Sequence, residues 1–286
     1  MNFLGKGVII PEAGIALNAG ETVGVLGRPL AEVPLVILVG VTGVGKSSVL
    51  AELNGQGLSF TLLPDRRLIT DQVIIAALQQ QDGQLPQPVT DRRLRFQYTA
   101  RYRAAFPGGM AHALGRLRVN AEGLTSPLFF DGLRGPEEVR YAAETLPLSR
   151  FVVLDAPDMV RVGRLLNRGD SFDAITLAHP TADLVAALKA IPGFEAVFSA
   201  GDSRQIAQLA ASGGLTVAEV VKKTAIIVEE RRYYDPDAAK TYLQQTLPPA
   251  RCLVIDTVAH DQQRVGQQII AWLPESQPGW ACSGAK

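Results

Sequence analysis

The stretch from Gly40 to Ser47 contains residue types at a spacing that could bind phosphate. It reads Gly-Val-Thr-Gly-Val-Gly-Lys-Ser and fits G-x-x-x-x-G-K-[ST] at every fixed position. Its glycines at positions 40, 43 and 45 permit a tight turn in which successive backbone N–H groups point at one centre. Such a cradle attracts an anion, so this stretch is the first candidate for a functional site.

The rest of the motif adds a cation, a metal ligand and a helix terminus. Lys46 would reach the outer phosphates of a nucleotide, and the hydroxyl of Ser47 would be a ligand to Mg²⁺. The helix that follows would favour an anion at its N-terminus. We therefore predict ATP and Mg²⁺ as ligands. The predicted binding residues are Gly40, Val41, Thr42, Gly43, Val44, Gly45, Lys46, Ser47 and Ser48.

Two further groups of charged residues follow the loop. Phe129 and Phe130 lead into Asp131, as in a buried strand with a carboxylate at the edge where open parallel sheets bind ligands. Farther along, Arg161, Arg164 and Arg168 are spaced i, i+3 and i+7, so they share one face of a predicted helix. The alternative for these arginines is a solvated basic face that pairs with Asp158 or Asp170.

Arginine is also favoured over lysine in this part of the chain. The sequence has 21 Arg and 7 Lys, and 15 of the Arg fall between positions 66 and 168. A guanidinium holds two phosphate oxygens at once, whereas an ammonium is a compact charge. Compositional bias could explain part of the excess, so the positions of the arginines carry more weight than their number.

The elements that must position these residues alternate along the chain. Five short apolar runs, beginning near residues 35, 58, 128, 151 and 252, are typical of buried strands, and helical patterns separate them. This alternation predicts an α/β fold of the three-layer P-loop NTPase type. It would have a five-stranded parallel core sheet, helices on both faces and a mostly helical insertion.

The chain divides into five predicted regions. They are an N-terminal β-like extension at 1–33, a P-loop core at 34–168 that includes an acceptor-lobe segment at 65–118, a helical lid or insertion at 169–246, a last core strand and helix at 247–273, and a flexible tail at 274–286. In the extension, residues 8–10 and 22–26 are predicted to form a hairpin. In the insertion, Thr216 with Glu219 predicts a capping box, and Asp235 before Pro236 predicts a helix start.

The bulk properties exclude several classes of protein. Lys and Arg together number 28, as do Asp and Glu, so the formal net charge is zero and nothing indicates a basic nucleic-acid binder. Two cysteines are too few for a disulfide framework. No apolar run approaches the roughly 18 residues of a membrane span, and the N-terminus has no signal-peptide pattern. We expect a cytoplasmic protein without nucleic-acid or membrane partners, and the oligomeric state stays open.

Nucleotide binding alone does not define the reaction. A guanine-reading Asn-Lys-x-Asp element and a transporter-type Leu-Ser-Gly-Gly-Gln signature are both absent from the sequence. Asp131 is followed by Gly132 and not by the Glu that polarises water in many ATPases. This favours transfer of a phosphoryl group to a bound acceptor over transfer to water.

The chain resembles the nucleoside monophosphate kinase-like P-loop kinases, which include adenylate, guanylate and thymidylate kinases. The resemblance rests on the loop at 40–47, on Phe-Phe-Asp-Gly-Leu-Arg at 129–134 and on the Arg-bearing helix after the strand at 151–155. It implies that Asp131 helps to hold Mg²⁺ and that Arg134 clamps phosphates. It also places 65–118 as the acceptor lobe and the segment from Arg161 to Arg168 at the entry to the lid.

The predicted catalytic residues follow from the motif and the resemblance together. They are Lys46, Asp131, Arg134, Arg161, Arg164 and Arg168, with Ser47 and Asp131 at the metal. For Arg134 the alternative is a structural ion pair. Candidates for the phosphate of an acceptor are Arg66, Arg67, Arg92, Arg95, Arg101 and Arg103, although a charged surface would account for most of them. Weaker candidates are Tyr98 and Tyr102 for stacking, Asp71 for polarising the acceptor, and His112, which is better interpreted as a packed residue.

The leading hypothesis is a Mg²⁺-dependent phosphotransferase that uses ATP and acts on a nucleotide or a similar small phosphorylated acceptor. One alternative is a nucleotide-dependent switch or ATPase that regulates a protein partner. The other is a kinase for a small-molecule hydroxyl. The arginines of the segment 65–118 favour an acceptor that already carries a phosphate.

Overall fold

The computed structural model describes residues 8–10, 15–19, 28–119, 126–167 and 180–274. The strands are β1 (Val8–Ile10), β2 (Ile15–Ala19), β3 (Arg28–Pro29), β4 (Leu35–Val39), β5 (Thr61–Leu62), β6 (Leu117–Val119), β7 (Leu128–Leu133), β8 (Ser149–Asp155) and β9 (Cys252–Asp256). The α-helices are α1 (Lys46–Gly55), α2 (Arg66–Ile69), α3 (Ala76–Gln81), α4 (Arg92–Ala105), α5 (Gly109–Gly115), α6 (Pro136–Thr145), α7 (Asp158–Leu166), α8 (Pro180–Lys189), α9 (Ala200–Gly213), α10 (Val217–Tyr233), α11 (Pro236–Thr246) and α12 (Gln262–Trp272). A π-helical segment, Thr70–Ile75, joins α2 to α3.

The core is a parallel sheet of five strands in the order β5-β7-β4-β8-β9. Strand β4, which leads into the phosphate loop, lies in the middle, with β7 on one side and β8 on the other. Leu38 of β4 is in register with Asp131 of β7, and the register shifts at the next residue. The central strand therefore ends beside the strand that carries the predicted metal ligand.

Both faces of the central strand are covered by helices. Leu35, Ile37 and Val39 pack into one core, which also contains residues of α5, α6 and α11. Val36 and Leu38 pack into a second core with Val49 and Leu53 of α1 and Val265 and Ile269 of α12. Burial on both faces explains why the strand reads as an unbroken apolar run, and the predicted three-layer α/β fold is confirmed.

A second, smaller sheet is antiparallel, with the order β1-β2-β6-β3. Strand β1 pairs with β2, and β2 pairs with β6. The predicted hairpin partner of β1 at 22–26 lies outside the described residues. Strand β6 begins two residues after the end of α5 at Gly115.

The described part of the insertion forms a helical core of its own. Helices α8, α9 and α10 pack against α7 through Leu165, Leu188, Ile206 and Ile227. The two predicted helix starts are confirmed. The Thr216 hydroxyl and the Glu219 carboxylate form a capping box, and Asp235 caps α11, which has Pro236 in its first turn. Helix α10 begins in this helical core, and its C-terminal part reaches Thr42, close to the end of β4.

The predicted strand that begins near residue 58 is reduced to Thr61–Leu62, because it pairs only with the start of β7 at the sheet edge. The segment 66–81 is helical throughout but contains the π-helical turn. Such turns occur often at functional sites, and Thr70 of this turn lines the pocket described below. No described helix has both the length and the apolarity needed to span a bilayer.

Candidate functional site

The loop from Gly40 to Ser47 has the backbone conformation that the motif predicts. Gly43 and Gly45 have φ angles of +88° and +103°, a region that residues with a Cβ rarely adopt. Helix α1 begins at Lys46, so the first N–H groups of the helix have no partner within it. Ser47 is exposed and Ser48 is half-buried at this end of the helix. The geometry provides donors for an anion at the position that the sequence indicated.

Lys46 is held within the loop. Its Nζ donates to the backbone oxygens of Gly40 at 2.8 Å and Val41 at 3.2 Å, and it lies 3.6 Å from Oδ1 of Asp131. The pKa of Lys46 is lowered to about 8, chiefly by burial; the charge of Asp131 raises it and that of Arg134 lowers it within this net value. A phosphate brought to this ammonium would favour its charged form.

Asp131 and Arg134 each keep a buried polar atom without a hydrogen-bond partner in the described part of the chain. These atoms are Oδ1 of Asp131 and Nε of Arg134. Buried polar atoms nearly always have a hydrogen-bond partner. A carboxylate oxygen without one, 3.6 Å from Lys46, and a guanidinium N–H without one fit a site for a cation and a phosphate. The described residues contain no cluster of three or more His, Cys, Asp or Glu that could hold a metal.

The guanidinium groups of Arg134 and Arg161 converge on one carboxylate, that of Glu230 in α10. Nη1 of Arg134 donates to Oε1 at 2.7 Å, and Nη2 of Arg161 donates to Oε2 at 2.6 Å. From the loop, the N–H of Thr42 donates to Oε2 at 2.9 Å, and the Thr42 hydroxyl donates to Oε1 at 2.6 Å. The structure thus brings two predicted phosphate contacts to the loop, with a carboxylate of the chain between them.

The three arginines of the predicted basic face have different surroundings. Arg161 is fully buried and also binds Asp158 and the backbone oxygen of Thr42. Arg164 donates to the oxygens of Gly43 and Thr257. Arg168 lies outside the described residues. Arg161 and Arg164 do not form a solvated face, because α7 packs on the loop, although the pairing of Arg161 with Asp158 that the alternative predicted is present. Arg161 also contacts Glu230, and Arg164 connects the loop to the turn after β9.

A pocket of about 530 Å³ opens beside the loop. Thr42, Arg134 and Glu230 form one part of its wall. Another part is formed by Phe96 and Tyr233, whose ring centroids lie 5.9 Å apart. Helices α4 and α10 are therefore in contact at this part of the pocket wall.

The arginines predicted for the acceptor fall into two groups. Three form ion pairs: Arg66 with Glu138, Arg95 with Asp71, and Arg101 with Asp82. Arg67 and Arg103 line the pocket without an ion pair among the described residues, and the guanidinium of Arg103 lies over the Tyr233 ring at 5.9 Å. The side chain of Arg92 lies outside the described part. Arg67 and Arg103 are accordingly the two candidates that the geometry favours for an anionic acceptor.

The weaker candidates are mostly structural. Tyr102 is buried and its hydroxyl lies 2.9 Å from Nδ1 of His112, while Tyr98 packs against the core. Burial and, to a smaller extent, the charge of Arg116 lower the pKa of His112 to about 4. His112 is thus neutral at ordinary pH, as expected for a packed residue, and Asp71 is engaged by Arg95.

Glu230 and Glu138 are the site residues that sequence reasoning missed. Glu138 accepts two hydrogen bonds from Arg66, at 2.9 and 2.5 Å, and one from the backbone N–H of Arg134 at 3.0 Å. A carboxylate in the first turn of a helix after Gly135 was visible in the sequence, but nothing in its spacing related it to Arg66. Glu230 is 188 residues from Thr42, and no motif connects them.

Comparisons with known proteins give no close relative. No protein-family model and no curated protein matches the chain. Among solved structures, it is similar to a sugar kinase from a Janibacter species, with 16% identity, a TM-score of 0.36 and coverage of 84% of this chain and 94% of that one. It is also similar to a gluconokinase from Sinorhizobium meliloti, with 13% identity, a TM-score of 0.35 and coverage of 86% of this chain and 92% of that one. A third similar structure is that of a Thermus thermophilus protein, with 15% identity, a TM-score of 0.42 and coverage of 85% of this chain and 98% of that one.

These three likenesses are distant, with TM-scores of 0.42 or less. The class is defined instead by the molecule itself. A five-stranded parallel sheet is covered by helices on both faces, and a Gly-rich loop joins its central strand to a helix. This is the α/β architecture of the P-loop NTPases.

Proposed function

We propose that the chain is an ATP- and Mg²⁺-dependent phosphotransferase whose acceptor is a nucleotide or a similar small molecule that carries a phosphate. One observation supports this above all: Thr42 of the loop, Arg134 and Glu230 are also walls of the 530 Å³ pocket. A phosphate held in the loop would therefore adjoin a molecule held in the pocket. Phosphoryl transfer requires mainly such positioning and charge neutralisation.

In this proposal each residue has a role that its position supports. The loop amides and Lys46 bind the phosphates of ATP, and Ser47 and Asp131 hold Mg²⁺, which neutralises phosphate charge when bound. Arg134 and Arg161 neutralise the charge of the transferred group. Arg67 and Arg103 bind the anionic part of the acceptor, and Phe96 with Tyr233 offers an aromatic surface to its body.

The surroundings of Glu138 favour an acceptor over water. Its carboxylate accepts hydrogen bonds from Arg66 and from the backbone N–H of Arg134. A carboxylate that activates water needs a free lone pair, and these donors occupy most of the lone-pair positions of Glu138. Hydrolysis of ATP without an acceptor should be slow.

The test is release of ADP from ATP with and without a panel of acceptors. The panel contains nucleoside monophosphates, sugar phosphates and the corresponding unphosphorylated compounds. We expect turnover to depend on a phosphorylated acceptor and to be lost in Lys46→Ala. Turnover with unphosphorylated compounds alone would make the chain a kinase for neutral hydroxyls. ATP binding that no acceptor converts into ADP release would refute the proposal.

A second candidate function is a nucleotide-dependent switch. The contact between Thr42 of the loop and Glu230 of the insertion supports it, because a ligand in the loop would act directly on α10. The acceptor panel separates the two functions, since a switch binds ATP without stimulation by any acceptor.

A further inference from the structure

We infer that the carboxylate of Glu230 occupies a phosphoryl subsite of the loop and must leave it when a phosphate binds. This rests on the proposed phosphate-binding role of the loop but not on phosphoryl transfer. The subsite comprises the backbone N–H and hydroxyl of Thr42 and the guanidinium groups of Arg134 and Arg161. Its ligand would be a phosphate oxyanion, and Glu230 is its internal competitor.

The donor set is the first ground for this inference. Four groups surround the carboxylate: a loop amide, a hydroxyl and two guanidinium groups, at 2.6 to 2.9 Å. Loop amides and guanidinium groups are the donors that proteins use for phosphate. A carboxylate satisfies them with two oxygens and one charge, and a phosphate would satisfy them with three oxygens and up to two charges.

The second ground is the burial of the cluster. Glu230 is 6% exposed and Arg161 is fully buried. A buried guanidinium without an anion is costly. Arg161 pairs with both Asp158 and Glu230, and Glu230 is the anion that it shares with half-buried Arg134. An incoming phosphate could replace Glu230 without leaving either arginine unpaired.

A third ground excludes a general-base role for Glu230. An ionised carboxylate offers about four lone-pair positions, and four donor groups already occupy them. The arrangement holds an anion in place, and it does not prepare a base.

The displacement has a consequence for the pocket. Tyr233 and Tyr234 follow Glu230 at the end of α10 and line the same pocket, and the Tyr234 hydroxyl accepts a hydrogen bond from Arg66 at 3.1 Å. A phosphate that moves Glu230 out of the loop would therefore shift part of the acceptor wall. The two binding sites would be coupled through this one helix.

Phosphate binding by Glu230→Gln tests the inference without any catalytic assay. The probes are inorganic phosphate and tripolyphosphate, titrated calorimetrically at constant ionic strength. Glutamine keeps the size of the side chain and removes the competing charge. We expect both probes to bind on the order of tenfold more tightly than to the natural chain, because the subsite is then open in most molecules. Equal or weaker binding would overturn the inference.

Asp237→Asn is the matched control. Asp237 pairs with Arg231, and no hydrogen bond joins Asp237 to Thr42. Arg231 also binds Asp158, so Asp237 belongs to the same charge network. The substitution removes the same charge, and we expect no gain in phosphate affinity. An equal gain in both variants would mean that net charge alone is responsible, and the inference would be wrong.

Hydrogen exchange on the natural chain gives a readout that does not depend on how the variants fold. Saturating tripolyphosphate should speed exchange of the backbone amides at 226–234, because the carboxylate contact that anchors this end of α10 is lost. Unchanged or slower exchange there, with the probe bound, would contradict displacement. Loss of phosphotransfer in the acceptor panel would leave both measurements unaffected, so the two proposals can fail independently.

Discussion

The phosphate loop and helix α7 are in backbone contact at Gly43 and Arg161. A Cβ atom added to Gly43 would lie 3.0 Å from the Cβ of Arg161 and 3.1 Å from its backbone oxygen. From the other side, Nε of Arg161 donates to the backbone oxygen of Thr42 at 2.7 Å. The loop and the helix that presents Arg161 are therefore positioned by each other.

We predict that Gly43→Ala weakens binding of Mg²⁺-ATP at least tenfold. The new methyl group would push the loop away from α7, and a φ of +88° disfavours any residue with a Cβ. Calorimetric titration with Mg²⁺-ATP measures the effect. Gly57→Ala is the control, because Gly57 has a φ of +86° but open space around its Cβ position. That variant should lose about 1 kcal/mol of stability with unchanged affinity; equal losses of affinity would refute the steric argument.

We predict that Asp131→Asn raises the Mg²⁺ concentration needed for half-maximal turnover at least tenfold. The substitution keeps the shape of the side chain but removes the negative charge of the carboxylate, whose Oδ1 has no hydrogen-bond partner among the described residues. Turnover measured against Mg²⁺ at fixed ATP is the readout. Asp82→Asn, which alters an exposed pair with Arg101, should follow the natural chain. An unchanged Mg²⁺ dependence in Asp131→Asn would remove this residue from the metal site.

For Arg134→Ala we expect kcat to fall by about 10³-fold, in line with arginines that neutralise phosphoryl charge in other enzymes. The melting temperature should change far less. Arg101→Ala removes an equal charge from an exposed pair with Asp82 and should leave kcat unchanged. A large loss of stability with unaltered kcat would assign Arg134 a purely structural role through Glu230.

The low pKa of His112 predicts a pH-dependent stability. In the folded chain this pKa is about 4, against 6.5 ordinarily, because burial and the charge of Arg116 disfavour the protonated ring. Between these values the unfolded chain binds more protons, so the free energy of unfolding falls as the pH is lowered from about 6.5 to about 4.

His112→Gln should remove that part of the pH dependence. The variant should be less stable at pH 7.5, because glutamine does not reproduce the packing of the ring against Phe106, whose centroid lies 4.1 Å away. The difference in the free energy of unfolding between this variant and the natural chain should be smaller at pH 5. Urea denaturation at the two pH values measures it, and a constant difference would show that the folded chain tolerates the protonated ring.

Local sequence was enough to predict the parts of the molecule that are built from contiguous residues. The strand, the glycine turn and the helix from Leu35 to Gly55 follow from an apolar run, three glycines and a helical pattern within about twenty residues. The parallel sheet followed from the alternation of such runs. The predicted ligands and catalytic roles of these residues stay predictions, since their test is binding and turnover.

Tertiary structure decided what the charged side chains face. The i, i+3, i+7 spacing placed Arg161 and Arg164 on one helix face, but it could not indicate that this face packs on the loop, with Glu230 beside the first and Thr257 beside the second. Helical periodicity records which residues share a side of a helix. The partner of that side depends on packing between segments far apart in the chain, as with Thr42 and Glu230, and local patterns contain no record of such distant contacts.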